Sequence, residues 1–361
     1  MVEQIDRLDR RNVRRCVVSA TFAVAILLAC ALQWRLAAPV DAEGTPAASP
    51  VATAQPAPGD NANGPLQVTV GLYVLEIHEL DQQASTYKAD FYLWMRWRGA
   101  FDPTPTIELL NNTDRWTLTM TPIYTEPINL PSGEQLQQFH IQGSFFDALD
   151  LRDYPLDRHA LTIELEDSTY PSDQLIYVPD TAQSQISPTL RLPGWHITGW
   201  HLDEHRHAYA TDFGDTSAAP PEYSRLAFAL EIERPQSFFR WKLLLPLLIV
   251  LLLGCSVLVV HPTYAEVRLA GPAGALLTLV FLQQAYTETL PETGGLVLLD
   301  KIYALAYVVV VGLIVTTIVT SHWVRAEGGS TARAQRLDRL AAAGLFGFFV
   351  VGTVILLVPV L

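Results

Sequence analysis

Residues 238–260 read FFRWKLLLPLLIVLLLGCSVLVV, an apolar run with charges only near its start. At a helical rise of 1.5 Å per residue, a run of this length crosses the roughly 30 Å hydrocarbon core of a bilayer. Three more apolar runs follow at about residues 267–290, 300–324 and 340–361. Residues 238–361 are therefore predicted to form an all-α transmembrane domain of four helices.

The sequence before this region has a different pattern, in which apolar and polar residues alternate. Such alternation is typical of strands that bury one face. Turn residues, among them Asp102-Pro103 and Asn111-Asn112, separate the runs. An all-β, immunoglobulin-like antiparallel sandwich is therefore predicted at residues 65–237. The alternating runs lie at residues 68–74, 91–97, 116–120, 161–165 and 226–232.

The first 64 residues are expected to lie outside both domains. Residues 1–42 join an arginine cluster to an apolar run, the pattern of a signal peptide or signal anchor. Residues 43–64 are rich in Ala, Pro, Thr and Gly without periodicity, which is typical of a disordered linker. The basic cluster at 10–15 and the short basic linker predicted at 325–339 belong on the cytoplasmic side. A multi-pass protein of the plasma (inner) membrane is predicted, with the β-domain and the C-terminus outside the cytoplasm.

Charge and motifs exclude several function classes. Residues 43–237 hold 27 acidic against 10 basic side chains, whereas a nucleic-acid surface must be basic. The acidic surface favours a cationic ligand or simply keeps the domain soluble. Cys16, Cys30 and Cys255 all lie in apolar segments, so no disulfide is expected in the β-domain. No catalytic motif is present in a suitable context, and neither an enzyme nor a cofactor is predicted.

The second span is more polar than a lipid-facing helix should be. Repeated around an axis by several copies, one of its faces would stack rings of carboxylate, bulky apolar and polar groups. Carboxylate rings select cations, and apolar constrictions can gate by dewetting. Alternatively, the polar groups hold the helices of one bundle together. Spacing by three and four residues places on this face Glu266, Ala270, Gly274, Leu277, Phe281, Gln284 and Glu288.

The order of these elements resembles the Cys-loop receptor family, especially its prokaryotic pentameric ligand-gated ion channels. The resemblance covers residues 65–361. Within it, Tyr154-Pro155-Leu156-Asp157 is similar to the family's loop at the membrane end of the sandwich, without the flanking cysteines. The resemblance implies a homopentamer with an extracellular ligand-binding domain, a small-molecule or ionic agonist, permeating cations and surrounding membrane lipid.

The resemblance also implies roles at the boundary between the domains. Asp157 and Arg234 would meet and couple the domains, although both could instead be solvated turn residues. Pro155 could be cis. The full set of implied coupling residues is Leu80, Asp81, Tyr154, Pro155, Asp157, Arg234 and Pro291.

In the second span, the resemblance places Leu277 at the gate and Glu266 at the inner ring that is associated with cation selectivity. Arg268 matches the basic residue that opens the helix, and alternatively anchors it at the cytoplasmic surface. Pro272 removes a backbone hydrogen bond and could kink the helix.

The family's agonist site is an aromatic box between subunits, and aromatic faces attract cations. Each candidate ring could instead serve only in packing. Trp97 is not a candidate, because it is expected in the core of the sandwich. The candidates are Tyr92, Trp94, Tyr170, Tyr209, Phe213 and Tyr223.

A separate titratable patch, which a strand would place on one side, could bind protons or a divalent metal ion, or could be an exposed polar strand. It consists of His201, Asp203, His205 and His207.

Two other functions fit part of the sequence. A non-conducting membrane sensor would bind a ligand outside and signal through partners, but only short cytoplasmic segments are predicted. A transporter would need more spans or internal repeats, and no repeat is visible. A cation-selective ligand-gated channel subunit is the main prediction.

Overall fold

The computed structural model describes residues 64–211, 213–214, 221–291, 295–326 and 329–360. The predicted signal segment at residues 1–42 lies outside the described residues, as does the predicted linker at 43–64 except for Gly64.

The described chain begins with strands and ends with helices, which confirms the predicted fold class. The strands are β1 (Leu66–Asp81), β2 (Thr86–Trp97), β3 (Ile107–Leu109), β4 (Thr119–Pro122), β5 (Ile128–Asn129), β6 (Gln135–Phe146), β7 (Arg158–Asp167), β8 (Leu175–Pro179), β9 (Gln185–Ile186), β10 (His196–Ala208) and β11 (Glu222–Glu233).

Two sheets pack face to face. The larger sheet has the order β4-β6-β2-β1-β8, with β5 beside β6 and β9 beside β1, and the smaller has the order β10-β11-β7-β3. Every pairing is antiparallel except those of β8 and β9 with β1, which are parallel. The antiparallel prediction therefore holds for most of the sandwich.

The alternating runs fill the space between the sheets, because inward side chains of both layers interdigitate there. Four of the five predicted runs supply this core, and Trp97 is buried as expected. The run at residues 116–120 contributes only in part: Leu118 and Met120 are partly buried against the core, whereas Trp116 is 98% exposed and β4 begins only at Thr119. Asp114 causes the difference, because its carboxylate accepts the amide hydrogen of Trp116 at 3.0 Å and closes a turn.

Four helices follow, each long and apolar enough to cross a membrane. The first, second, third and fourth helices span Phe238–Val259, Ala265–Thr287, Leu298–Ala326 and Thr331–Leu357. The multi-pass prediction is thereby supported by length and composition.

The fourth helix begins earlier than predicted. A basic linker is predicted at residues 325–339, but the helix already starts at Thr331. Ala334 and Asp338, one turn apart, are buried while the neighbouring Arg333 and Arg339 are exposed. The first turns of the fourth helix are therefore amphipathic. Because their exposed positions are arginines, hydropathy alone does not identify them as helix.

Candidate functional site

The second helix has two distinct faces in the isolated subunit. All seven residues of the predicted pore face are exposed, and Leu277 and Phe281 are 58% and 65% exposed. The opposite face packs into the bundle through Arg268, Pro272, Ala275, Leu279 and Tyr286. The bundle of one subunit therefore leaves the predicted pore face uncovered.

Arg268 does not anchor the helix at the membrane surface, contrary to one of the two predicted roles. Its side chain is fully buried, and its Nη2 lies 2.8 Å from Oδ2 of the equally buried Asp338 on the fourth helix. Its Nη1 donates to the hydroxyls of Thr320 and Ser321 on the third helix. Asp338 was missed in the sequence because it lies among the arginines of the supposed linker.

A glycine lets the second helix pack closely against the first. A Cβ atom added to Gly271 would lie 2.1 Å from Cγ2 of Val257, so only glycine fits there. Gly274, on the exposed face, has nothing within 4 Å of such an atom. Pro272 lies on the buried side of the second helix, which continues past this residue without a break.

Direct hydrogen bonds join the β-sandwich to the helices at the predicted coupling residues. The β1–β2 turn contains Asp81, whose carboxylate accepts the backbone amide hydrogens of Gln83 and Ala84. The side chain of Gln83 in turn donates to the carbonyl of Glu288, at the end of the second helix, at 2.7 Å. Pro291 follows this end after the buried Leu290.

The loop after β6 reaches the start of the third helix. The amides of Leu298 and Leu299 donate to the carbonyls of Arg152 and Tyr154 at 2.9 and 3.2 Å. The ring of Tyr154 stacks against Tyr286 of the second helix at 6.4 Å. The Tyr154–Pro155 peptide bond is cis.

Asp157 and Arg234 meet, as the resemblance implies. Arg234 Nε donates to Oδ1 at 2.8 Å and Nη2 donates to Oδ2 at 3.1 Å, so the contact is two-pronged. Burial would raise the pKa of Asp157, but hydrogen bonds from His159 and Arg234 outweigh it and hold that pKa below its usual value. The alternative of two solvated turn residues does not hold, since both side chains are at most 9% exposed.

Aromatic rings enclose the guanidinium of Arg234. Its central carbon lies 4.3 Å from the ring of Trp195, 4.9 Å from Tyr154 and 5.6 Å from Phe238. These rings come from the segment before β10, from the loop after β6 and from the start of the first helix. The cage was not predictable from the sequence, because it joins distant segments. His159 was also missed: it lies only two residues from Asp157, but its role depends on the pairing of Asp157 with the distant Arg234.

Three predicted ligand residues form one aromatic cluster where β10 ends and β11 begins. Tyr209 makes edge contacts with Phe213 at 5.1 Å, Tyr223 at 5.8 Å and His207 at 4.6 Å. Phe213 is 55% exposed. The cluster therefore offers ring faces and edges at the surface of the smaller sheet.

Charged groups support the cluster from below. The hydroxyl of Tyr209 donates to Glu166 at 2.8 Å, and Arg225 binds Glu166 and Glu164 at 3.1 and 3.4 Å. Burial, followed by the bond to Glu166, raises the pKa of Tyr209 to about 12. Burial, aided by Arg225, lowers the pKa of His207. The network keeps an aromatic hydroxyl protonated beside two carboxylates.

The remaining predicted ligand residues lie elsewhere. Tyr92 and Trp94 are on β2 of the larger sheet, where Tyr92 stacks on His140 at 4.8 Å. Trp94 donates to Asp180 at 3.1 Å and lies directly over Gly71. Within one subunit, the two sets therefore belong to different sheets.

Tyr170 is not available to a ligand, which corrects its prediction. Its side chain is 3% exposed and its ring meets Phe101 edge-on at 5.0 Å in the sandwich core. The strand pattern ends at Asp167, whose carboxylate accepts the amide hydrogens of Thr169 and Tyr170 and turns the ring inward.

The histidine patch does not form a metal site. His201, Asp203, His205 and His207 do share a strand, β10, as predicted. Within the patch, Nε2 of His201 lies 3.8 Å from Oδ2 of Asp203. Within the part of the chain that the structure describes, no group of three or more His, Cys, Asp or Glu side chains could hold a metal. The exposed-strand alternative is favoured.

Comparison with known proteins identifies distant relatives. No family model matches the chain. It is 22% identical over 314 residues to the proton-gated ion channel of Gloeobacter violaceus, an alignment that covers 82% of this chain and 83% of that protein. It is also 21% identical over 254 residues to the gamma-aminobutyric acid receptor subunit beta-4 of Gallus gallus, covering 64% of this chain.

A third relative is the acetylcholine receptor subunit beta of Xenopus laevis, 22% identical over 254 residues and 63% of this chain. The chain spans 50% of the length of each of these two receptor subunits. The resemblance inferred from the motifs is confirmed by these relatives, and so is the prediction that the chain is no enzyme.

Proposed function

We propose that this chain, a relative of the pentameric ligand-gated ion channels, is one subunit of a homopentameric cation channel. The observation that carries the proposal is the uncovered face of the second helix. Its opposite face is buried in the bundle, whereas the seven residues from Glu266 to Glu288 remain exposed. In an assembly of five copies, this face would line a water-filled pore.

Selectivity and gating follow from the order of groups on this face. Glu266 and Glu288 would form carboxylate rings near the two ends, and such rings attract cations. Leu277 and Phe281 would form an apolar constriction between them. Nothing lies within 4 Å of a Cβ placed on Gly274, so the inner part of the pore would be wide.

An agonist would act at the aromatic cluster of Tyr209, Phe213 and Tyr223. Two carboxylates beneath the cluster, Glu164 and Glu166, share one cation, Arg225, so this group keeps a net negative charge that favours a cation over an anion. In a pentamer, Tyr92 of the neighbouring subunit would face the cluster. The Gloeobacter relative is a proton-gated ion channel, so protons are the first agonist to test.

The β-domain would lie outside the cytoplasm, with the four helices in the plasma (inner) membrane. The arginines at the end of the third helix and in the first turns of the fourth support this orientation. The fourth helix has the lowest buried share of the four spans, which suits contact with lipid. The acidic β-domain gives no reason to expect a nucleic-acid partner.

Purified protein in planar bilayers tests the proposal. We expect Na⁺ current that depends on pH, divalent ions or organic amines. Glu266→Gln should move the reversal potential in a NaCl gradient towards zero, because the inner carboxylate ring is lost. Glu231→Gln, an exposed substitution on the β-domain, is the control. A protein that conducts under none of these conditions would support a non-conducting sensor.

A further inference from the structure

His159 shares the buried carboxylate that joins the two domains. It lies on β7 opposite Ile232 of β11, and its side chain is 3% exposed. Its Nε2 lies 2.8 Å from Oδ2 of Asp157, the oxygen that also accepts from Arg234. Its ring meets Trp195, a wall of the Arg234 cage, edge-on at 5.3 Å.

The direction of this hydrogen bond follows from the charge of Asp157. A carboxyl whose pKa lies below its usual value is ionised at neutral pH and can only accept. Nε2 of His159 must therefore carry the proton. Three N–H donors converge on one carboxylate, two from Arg234 and one from His159.

Removal of one of these three donors should weaken the hydrogen bonds that the other two make to Asp157. Asp157 is 0% exposed, so water does not readily replace a lost donor. A buried carboxylate with fewer donors is more costly, and its hold on Arg234 becomes weaker. Arg234 lies only a few residues before the first helix, so this loss reaches the membrane domain directly.

We propose that His159 is a positioning residue for the coupling of the β-domain to the pore. It orients the carboxylate of Asp157 so that Arg234 is held by two hydrogen bonds inside its aromatic cage. The inference rests on the proposed channel function, because coupling has a meaning only if the helices form a pore. The charged groups around His159 are Asp157, at contact distance, Arg234 on the far side of that carboxylate, and Asp147 and Asp150 further away.

Two variants separate the hydrogen bond from packing. His159→Phe keeps a ring against Trp195 but removes the donor, whereas His159→Gln keeps an N–H donor. His196→Phe, an exposed histidine on β10 of the same sheet, is the matched control. The readout is Na⁺ current from the full-length protein in planar bilayers after steps to acidic pH.

We expect His159→Phe to reduce the evoked current by about tenfold, the size expected for one lost hydrogen bond to a charged group. His159→Gln should restore most of it and His196→Phe should leave it unchanged. A parent protein that responds to acid while His159→Phe responds equally, or His159→Gln responds no better than His159→Phe, overturns the inference and leaves the channel intact.

A second measurement does not need conduction. Thermal unfolding of the detergent-solubilised protein is compared for His159→Phe, Asp157→Asn and the double variant. The shifts should be non-additive, because both single changes break the same contact. Additive shifts overturn the inference. If acid evokes no current even in the parent, the choice of protons as agonist fails, and this cycle with the His159→Gln rescue decides the role of His159.

Discussion

Asp157 carries its charge where water does not reach it, and its three donors make this possible. Its pKa is held below the usual value of 3.8, whereas burial raises the pKa of Asp147 and of Asp167 despite their hydrogen-bonded partners. These carboxyls therefore affect stability in opposite directions. A lowered pKa stabilises the fold at neutral pH, and a raised pKa opposes it.

The first residue-scale prediction concerns acid stability. The stabilisation by Asp157 is complete above the unfolded pKa near 4 and is lost as the pH falls through the lower folded pKa. Asp157→Asn should lower the melting temperature at pH 7, and its deficit should shrink below about pH 4. The exposed neighbour Asp153→Asn is the control. A deficit that stays constant down to pH 3 would contradict the assignment.

The second residue-scale prediction concerns the buried pair of Arg268 and Asp338. Asp338→Asn leaves a buried guanidinium without its counter-charge, which costs about 3–5 kcal/mol. We expect a large drop in melting temperature in detergent. Arg339→Gln, exposed on the same helix, should have little effect. Equal shifts for the two variants would mean that the charges are not coupled.

The third residue-scale prediction concerns the gate. Leu277→Ala should widen the proposed apolar constriction and favour opening, visible as current without any added stimulus. Leu269→Ala, exposed on the same helix but off the predicted face, is the comparison. If both variants gate like the parent, the constriction lies at another ring, such as Phe281.

Some residues of the candidate site could be identified from the sequence, and others could not. The motif Tyr154–Asp157 and Arg234 could be found locally, because a turn and a helix entry each have a pattern. Asp338 could not, since its partner Arg268 lies on another helix. His159 could not, since the neighbouring Asp157 acquires its role only by pairing with the distant Arg234. Tyr170 was misassigned because an aromatic residue after a strand looks the same whether it turns outward or inward.

At the scale of elements, the approach of the first and second helices depends on one glycine. Gly271→Ala places a methyl group 2.1 Å from Val257 Cγ2 and should destabilise the protein by about 1–3 kcal/mol. Gly274→Ala meets no atom and should stabilise the helix by up to about 1 kcal/mol. Melting temperatures of both variants test the contrast. Val257→Ala should partly rescue Gly271→Ala, and failure of both effects would exclude this contact.

Element boundaries were predictable where one face is buried and hydropathy changes sharply. The alternating runs located β1, β2, β7 and β11, and apolar length located the helices. The early start of the fourth helix was not predictable from hydropathy, because exposed arginines outnumber the two buried positions Ala334 and Asp338 in that turn. Trp116 shows the converse case, in which apparent alternation belongs to a turn.

At the scale of the whole molecule, the exposed apolar face of the second helix needs neighbours. Lipid would suit Leu277 and Phe281 but not Glu266 or Gln284. Five copies around a pore satisfy both groups at once. Native mass spectrometry of the detergent-solubilised protein should therefore give five times the chain mass of 40.0 kDa, or five times the mass left after signal cleavage. A monomer or dimer as the main species would contradict the pore.

The β-sandwich contains no cysteine between residues 65 and 237, and Cys255 is half-buried within the first helix. The stability of the β-sandwich is thus independent of the redox state of its surroundings. A thiol introduced at an exposed site, such as Phe213 or Gln83, would be the one reactive group on this domain. Once Cys16, Cys30 and Cys255, all outside this domain, are replaced by serine, fluorescent or spin labels could report movement of either end of the sandwich.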